Sequence, residues 1–145
     1  MEEFVKFFII FFTMAMTLFG ANIDTFAANM GYYRDYDTAL VQAKKENKPL
    51  MLVLVGDYCP WCRKFERKTL QRESVALSVN KNFIPLIVDR NLDKKSYPEA
   101  YSSPRIPTTY FIDPKKGAKL FESLGYVKKD EFLATIDEVL QKYKK

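Results

Sequence analysis

Short apolar runs separated by polar stretches are the dominant pattern in this chain. A continuous run such as Leu50–Val55 predicts a strand that is covered on both faces. The run at residues 83–89 predicts a second central strand, weakened at Pro85. A turn at residues 114–117 separates the last two predicted strands. The predicted strands are residues 50–55, 83–89, 108–113 and 118–124.

Stretches with helical periodicity alternate with these strands. Asp35 or Asp37 caps the first helix, and residues 47–49 end it. Phe65 and Leu70 mark the buried stripe of the helix that begins at Pro60. The predicted helices are residues 36–46, 60–70, 74–80, 98–101 and 129–144. This alternation, closed by a terminal hairpin, predicts the α/β class: a central mixed β-sheet flanked by helices, with an extra N-terminal helix.

The N-terminal stretch has the character of a targeting segment. Residues 7–19 are almost wholly apolar, and Thr25-Phe26-Ala27 has the small-x-small form of a cleavage site. The run is short for a bilayer span, which needs roughly 20 residues. We expect residues 1–27 to be a signal peptide, or an N-terminal anchor if uncleaved, and residues 28–145 to form one domain. A buried N-terminal helix fits less well, because the run has no polar face before Asn22.

Size and charge narrow the classes of partner. A chain of 145 residues has room for one domain with its own core. The net charge is +5, but the lysines are scattered and concentrate on the last helix and in turns. A solvated surface accounts for this pattern better than a nucleic-acid interface does. We expect a monomer that binds no nucleic acid.

The only two cysteines lie in Cys59-Pro60-Trp61-Cys62, directly after the first predicted strand. A strand that leads a C-x-x-C into the start of a helix is typical of a thiol–disulfide redox site. A structural disulfide is the alternative, although a loop this small contributes little stability. A closed zinc site needs four ligands, and the chain has no histidine. We expect no metal and no cofactor besides the cysteine pair.

These features resemble the thioredoxin fold over residues 33–143. Ile106-Pro107-Thr108 precedes the third strand, where the family carries a cis-proline, and Gly125 follows the hairpin, where it has a substrate-side glycine. The stretch at residues 56–70 is similar to that of the C-terminal periplasmic domain of DsbD-type reductant carriers.

Two departures from the family pattern concern the redox chemistry. Val53 stands where thioredoxins have a buried aspartate, and the dipeptide inside the motif is Pro-Trp instead of Gly-Pro.

The position of each cysteine predicts its role. Cys59 begins a helix, where free N–H groups and the helix dipole stabilise a thiolate nucleophile. Cys62 lies inside the first turn and acts second, resolving the mixed disulfide. Pro60, Arg63 and Asp57 are candidates for tuning the thiolate, although Asp57 fits equally well as a residue that shapes the loop.

Glu66 has two interpretations that the sequence leaves open. It lies one turn beyond Cys62, so a partly buried carboxylate there can accept the proton of the resolving thiol. The resemblance points the same way, because the related domain has a glutamate at this place. Alternatively, Glu66 is an ordinary surface residue paired with Arg63 or Lys64.

The substrate-binding candidates surround the motif. Trp61 and Tyr58 flank the sulfurs and can form an apolar platform, although core packing is the alternative for both. The resemblance implies that Pro107 is cis and that it exposes the backbone of Ile106, on which a substrate segment can pair as an added strand. It also places Gly125 on the substrate side.

The direction of electron flow is inferred from what the motif lacks. Strong oxidants of this superfamily carry a histidine between the cysteines, and reducing members have Ile before the cis-proline, as in Ile106. We therefore expect an exported, periplasmic reductase of oxidised proteins that is recharged by a membrane reductant carrier of the DsbD type. A dithiol oxidase or isomerase is one alternative. A non-catalytic binding module or chaperone is another.

Overall fold

The computed structural model describes residues 22–145, so the apolar run at residues 7–19 lies outside the described part. The helices are α1 (Asn22–Met30), α2 (Tyr36–Glu46), α3 (Pro60–Phe65), α4 (Glu73–Asn82) and α5 (Lys129–Tyr143). A π-helical turn (Glu66–Leu70) follows α3, and Glu99–Tyr101 forms a 3₁₀ turn. The strands are β1 (Leu50–Val55), β2 (Ile84–Asp89), β3 (Thr108–Ile112) and β4 (Lys119–Leu124).

The four strands form one mixed sheet in the order β2-β1-β3-β4. β1 pairs with β2 in parallel and with β3 in antiparallel, and β3 pairs with β4 in antiparallel. Successive residues of β1 point to opposite faces, so Met51 and Val53 enter one core cluster and Leu50 and Leu52 enter the other. Helices cover both clusters, which confirms the predicted fold class and explains why β1 is apolar at every position.

Local sequence signals determine where α2 begins and ends. Asp35 is the N-cap residue, and its carboxylate accepts a hydrogen bond of 2.8 Å from the backbone N–H of Thr38. Of the two aspartates considered as caps, Asp35 therefore fills this role. Asn47 ends the helix in the left-handed conformation with φ 52°, a conformation in which asparagine is enriched.

Helix α1 is an element that the sequence pattern did not separate from the N-terminal apolar run. Its Ile23, Phe26 and Ala27 are buried in the same core cluster as Val53. The predicted boundary between residues 27 and 28 falls inside this helix, and the cleavage position remains a prediction. Within residues 22–145, every helix is too short or too polar to cross a membrane.

Arg34 joins α1 to the sheet. Its guanidinium donates to Asp24 of α1 at 2.8 Å, to Asp93 at 2.8 Å and to the carbonyl of Ile87 at 2.6 Å. Because Asp93 follows the carboxyl end of β2, α1 starts at the end of the sheet to which β1 leads. That end carries the cysteine motif.

The helix predicted for residues 60–70 is not regular throughout. It is α-helical to Phe65 and then widens into a π turn, in which the N–H of Gln71 bonds to the carbonyl of Glu66 at 2.8 Å. In the same turn the buried Thr69 donates its hydroxyl to the carbonyl of Val127 at 2.5 Å. Short π-helical turns of this kind are often found at functional sites.

Candidate redox active site

The cysteine motif begins in the loop after β1 and continues into α3. Cys59 is the N-cap residue of α3, and Pro60 occupies the first turn. The sulfurs of Cys59 and Cys62 form a disulfide. The N–H of Cys62 also donates to Sγ of Cys59 at 3.1 Å. The free N–H groups at the start of this helix therefore favour negative charge on the sulfur of Cys59 once the disulfide is opened.

The two sulfurs differ in access. Cys62 is fully buried, whereas the Cys59 side chain is partly exposed beside the core. A partner protein can therefore reach Cys59 and not Cys62. This asymmetry matches the nucleophilic and resolving roles predicted for the pair.

Glu66, one helical turn beyond Cys62, is buried and is not a surface residue. Its Oε1 lies 2.9 Å from Nη2 of Arg63, close enough for an ion pair but without the geometry of a hydrogen bond. Burial raises the pKa of Glu66 to about 7, against the opposing effect of Arg63 and Arg67. A carboxyl with this pKa exchanges a proton near neutral pH. The structure thus excludes the surface position, although Glu66 keeps the pairing with Arg63 that the second interpretation proposed.

Ile106 packs against the loop that precedes the motif. The Ile106–Pro107 peptide bond is cis, and Ile106 is half-buried. A Cβ atom on Gly56 would lie 2.7 Å from Cδ1 of Ile106, so only glycine permits this approach. Arg90 holds the loop that carries Ile106, since its Nη1 donates to the carbonyl of Pro104 at 2.7 Å.

Gly125 connects the hairpin to the proline loop. It has φ 82°, and its N–H donates to the carbonyl of Pro107 at 2.7 Å. The next residue, Tyr126, stacks on Trp61 with ring centroids 5.9 Å apart. The motif helix, the proline loop and the segment after β4 therefore meet at one surface.

The exposed aromatic residues differ in their surroundings. Trp61 is 57% exposed and rests on Tyr126, whereas Tyr58 is fully exposed with φ 52°. Core packing, the alternative for both, is therefore not observed.

Asp57 is exposed in the same loop and forms no ion pair with any residue in the described part of the chain. Val53, where thioredoxins have an aspartate, is fully buried in β1.

Sequence reasoning missed four residues at this site. Gly56 contacts Ile106, Lys64 and Tyr126 contact Trp61, and Arg90 bonds to the loop that carries Ile106. Only two had a usable signal: Gly56 precedes the motif, and Tyr126 follows Gly125. Across residues 22–145, no three His, Cys, Asp or Glu side chains are grouped as metal ligands.

Similar structures include a thioredoxin from Thermus thermophilus and the oxidised C-terminal domain of DsbD from Neisseria meningitidis. The first has a TM-score of 0.69 at 23% identity and covers 77% of this chain and 88% of its own. The second has a TM-score of 0.61 at 20% identity and covers 74% of this chain and 97% of its own. At these identities, the likeness establishes the fold.

Sequence comparison gives a shorter match and a family. Spermatogenesis-associated protein 20 of Rattus norvegicus is 40% identical over 52 residues, which is 36% of this chain and 7% of the relative's length. The family model described as "Thioredoxin-like domain" matches residues 36–140, from the start of α2 into α5. That match includes the cysteine motif, Glu66 and Ile106-Pro107, and it establishes that the chain belongs to the thioredoxin-like domain family.

Proposed function

We propose that this protein is an exported thiol–disulfide reductase that reduces oxidised protein substrates through Cys59 and Cys62. The observation that carries the proposal is the asymmetry of the disulfide, with Cys59 accessible at a helix N-terminus and Cys62 buried behind it. Proteins of this fold exchange electrons through the cysteine pair itself, so no further cofactor is needed. The family and the fold support thiol–disulfide oxidoreductase chemistry, and the direction and location are our proposals.

The reaction starts from the reduced pair. The Cys59 thiolate attacks one sulfur of the substrate disulfide, that S–S bond breaks, and the released substrate thiolate takes up a proton. A mixed disulfide now joins Cys59 to the substrate. In this proposal the backbone beside Ile106 holds the substrate segment as an added strand.

The second step uses the buried sulfur. Cys62 loses its proton to the Glu66 carboxylate and attacks Cys59, which breaks the mixed disulfide and releases the second substrate thiolate. Glu66 passes the proton on to solvent or to the departing thiolate. The substrate has gained two electrons and two protons, and the protein is left as the Cys59–Cys62 disulfide.

A reducing direction is supported by the composition around the motif. No histidine lies between the cysteines to stabilise the reduced form, and Ile106 precedes Pro107. Export is supported by the apolar run at residues 7–19, and similarity to a DsbD domain fits recharging by a membrane reductant carrier.

The reduction potential of the Cys59/Cys62 couple tests the proposal. Trp61 is the only tryptophan and lies inside the motif, so its fluorescence can report the redox state in a series of dithiol buffers. A value near −270 mV supports a reductase, and a value near roughly −120 mV makes the protein an oxidase.

The Cys59→Ser/Cys62→Ser variant is the control for catalysis. We expect it to abolish reduction of a model disulfide substrate. Partner binding that persists in this variant, in a protein with no reversible couple, identifies a binding module instead.

A further inference from the structure

Lys64 occupies an unusual place beside the redox motif. Its Nζ lies 4.7 Å from the ring centroid of Trp61 and 4.8 Å from that of Tyr126. The two rings therefore hold the ammonium group by cation–π contacts. We call Trp61, Lys64 and Tyr126 the aromatic–lysine patch.

The charge of Lys64 is available to a partner. In the described part of the chain Lys64 has no carboxylate within ion-pair distance, whereas its neighbour Arg63 is paired with Glu66. Lys64 is partly exposed, and Trp61 is 57% exposed. The patch thus presents a fixed positive charge together with apolar ring surface.

The patch is continuous with the surface on which a substrate segment would pair. Tyr126 follows Gly125, whose N–H is bonded to the carbonyl of Pro107. Trp61 lies between the two cysteines. A segment bonded to Cys59 and extended along Ile106 therefore passes beside the patch.

The other charged groups near this route are of both signs. Arg105 precedes Ile106 and is exposed, and Asp57 is exposed in the loop before Cys59. Asp57 forms no ion pair with Lys64. Two positive groups, Lys64 and Arg105, therefore lie beside this route against one negative group, Asp57, which favours an acidic partner.

We propose that the aromatic–lysine patch selects protein disulfides whose flanking segment carries an acidic residue beside an apolar one. The apolar side chain packs on Trp61 and Tyr126, and the carboxylate pairs with Lys64. This inference rests on the proposed reductase function, because it names the substrate class of the same site.

Matched peptides test the selection. Three peptides of one length, each closed by one intramolecular disulfide, differ only in the flank: Leu-Glu, Leu-Gln or Leu-Lys. The full chain is reduced beforehand, mixed with each peptide, and followed by Trp61 fluorescence to obtain second-order rate constants. We expect the Leu-Glu peptide to react about threefold faster than Leu-Gln, with Leu-Lys slower still, as for a single partly exposed ion pair.

Three variants assign the selection to Lys64. Lys64→Gln is expected to abolish the difference between Leu-Glu and Leu-Gln, and Lys64→Arg to retain it. Lys45→Gln removes one positive charge from an exposed site on α2 and is expected to leave the difference unchanged. Equal rates for the three peptides, or a preference that survives in Lys64→Gln, overturns the inference.

A binding measurement separates this inference from the proposed function. Serine replaces cysteine in the same peptides, which are then titrated against the oxidised protein and followed by Trp61 fluorescence. Tighter binding of the acidic peptide supports the patch even if no peptide disulfide is reduced, in which case only the reductase proposal fails. Equal binding of acidic and basic peptides contradicts the patch, whatever the redox activity.

Discussion

Nη2 of Arg63 lies 2.9 Å from Oε1 of Glu66, and Glu66 follows Cys62 by one helical turn. Arg63 keeps 28% of its side chain exposed, whereas Glu66 keeps only 7%. Burial therefore affects the Glu66 carboxyl more than the Arg63 guanidinium. Desolvation outweighs the attraction of Arg63 and Arg67, and the pKa of Glu66 is raised to about 7.

The Glu66→Gln variant is expected to change the pH profile of substrate reduction. If Glu66 accepts the proton of Cys62, the rate rises with pH through about 7, the pKa of Glu66. The variant loses this inflection, and its rate falls by roughly 100-fold, at the lower end of general-base effects. Rates for a model disulfide between pH 5 and 9 measure the effect. Glu131→Gln on the exposed side of α5 is the control, and an inflection kept in Glu66→Gln excludes the proton-transfer role.

The same group makes stability depend on pH. The pKa of Glu66 is higher in the folded chain, about 7, than its ordinary value of 4.5. The unfolded chain therefore loses this proton first, and the free energy of unfolding falls as pH rises from about 4.5 to about 7. Each pKa unit corresponds to about 1.4 kcal/mol, and screening by solvent reduces the total, so we expect a loss on the order of 2 kcal/mol.

Urea unfolding of the oxidised protein at a series of pH values measures this slope. Glu66→Gln is expected to flatten it by the contribution of this one group. A slope in Glu66→Gln that equals the slope of the unsubstituted protein contradicts the assignment to Glu66.

Gly56→Ala is expected to disturb the proline loop. The new methyl group would lie 2.7 Å from Cδ1 of Ile106, so Ile106 must move. Overpacking of this kind costs about 1–3 kcal/mol, and the displaced loop should also lower kcat/KM for substrate reduction. Urea unfolding and steady-state rates measure the two effects.

The companion substitution Ile106→Val removes the clashing atom. In the double variant Gly56→Ala/Ile106→Val we expect both stability and kcat/KM to recover relative to Gly56→Ala alone. Additive losses in the double variant would show that the two residues do not interact.

Helix α1 is expected to contribute to the stability of the domain. A chain that starts at residue 28 loses the buried Ile23 and Phe26 and the Asp24–Arg34 ion pair, whereas a chain that starts at residue 22 keeps them. Burial of two such side chains contributes roughly 3 kcal/mol. Urea unfolding of the two truncated chains measures the difference. Equal stabilities would mean that α1 is not part of the folded domain and would favour cleavage after Ala27.

The sequence was sufficient for features that depend on neighbours along the chain. The apolar run of β1, an aspartate cap at residue 35 or 37 and the Pro60 start of α3 were predicted because each depends on local hydrogen bonding or side-chain alternation. The order of these elements then predicted the mixed sheet. The C-x-x-C spacing located the redox pair because both cysteines lie within one helical turn.

The features that only the tertiary structure decided involve residues far apart along the chain. The burial of Glu66, the approach of Ile106 to Gly56 and the stacking of Tyr126 on Trp61 each depend on how separate segments pack. The sequence left Glu66 open between a surface and a buried position because helical spacing fixes the face of a residue but not what covers that face. An extra N-terminal helix was expected, but the bounds of α1 were not predicted for the same reason: its apolar residues continue the N-terminal run, and only their packing against the sheet distinguishes them.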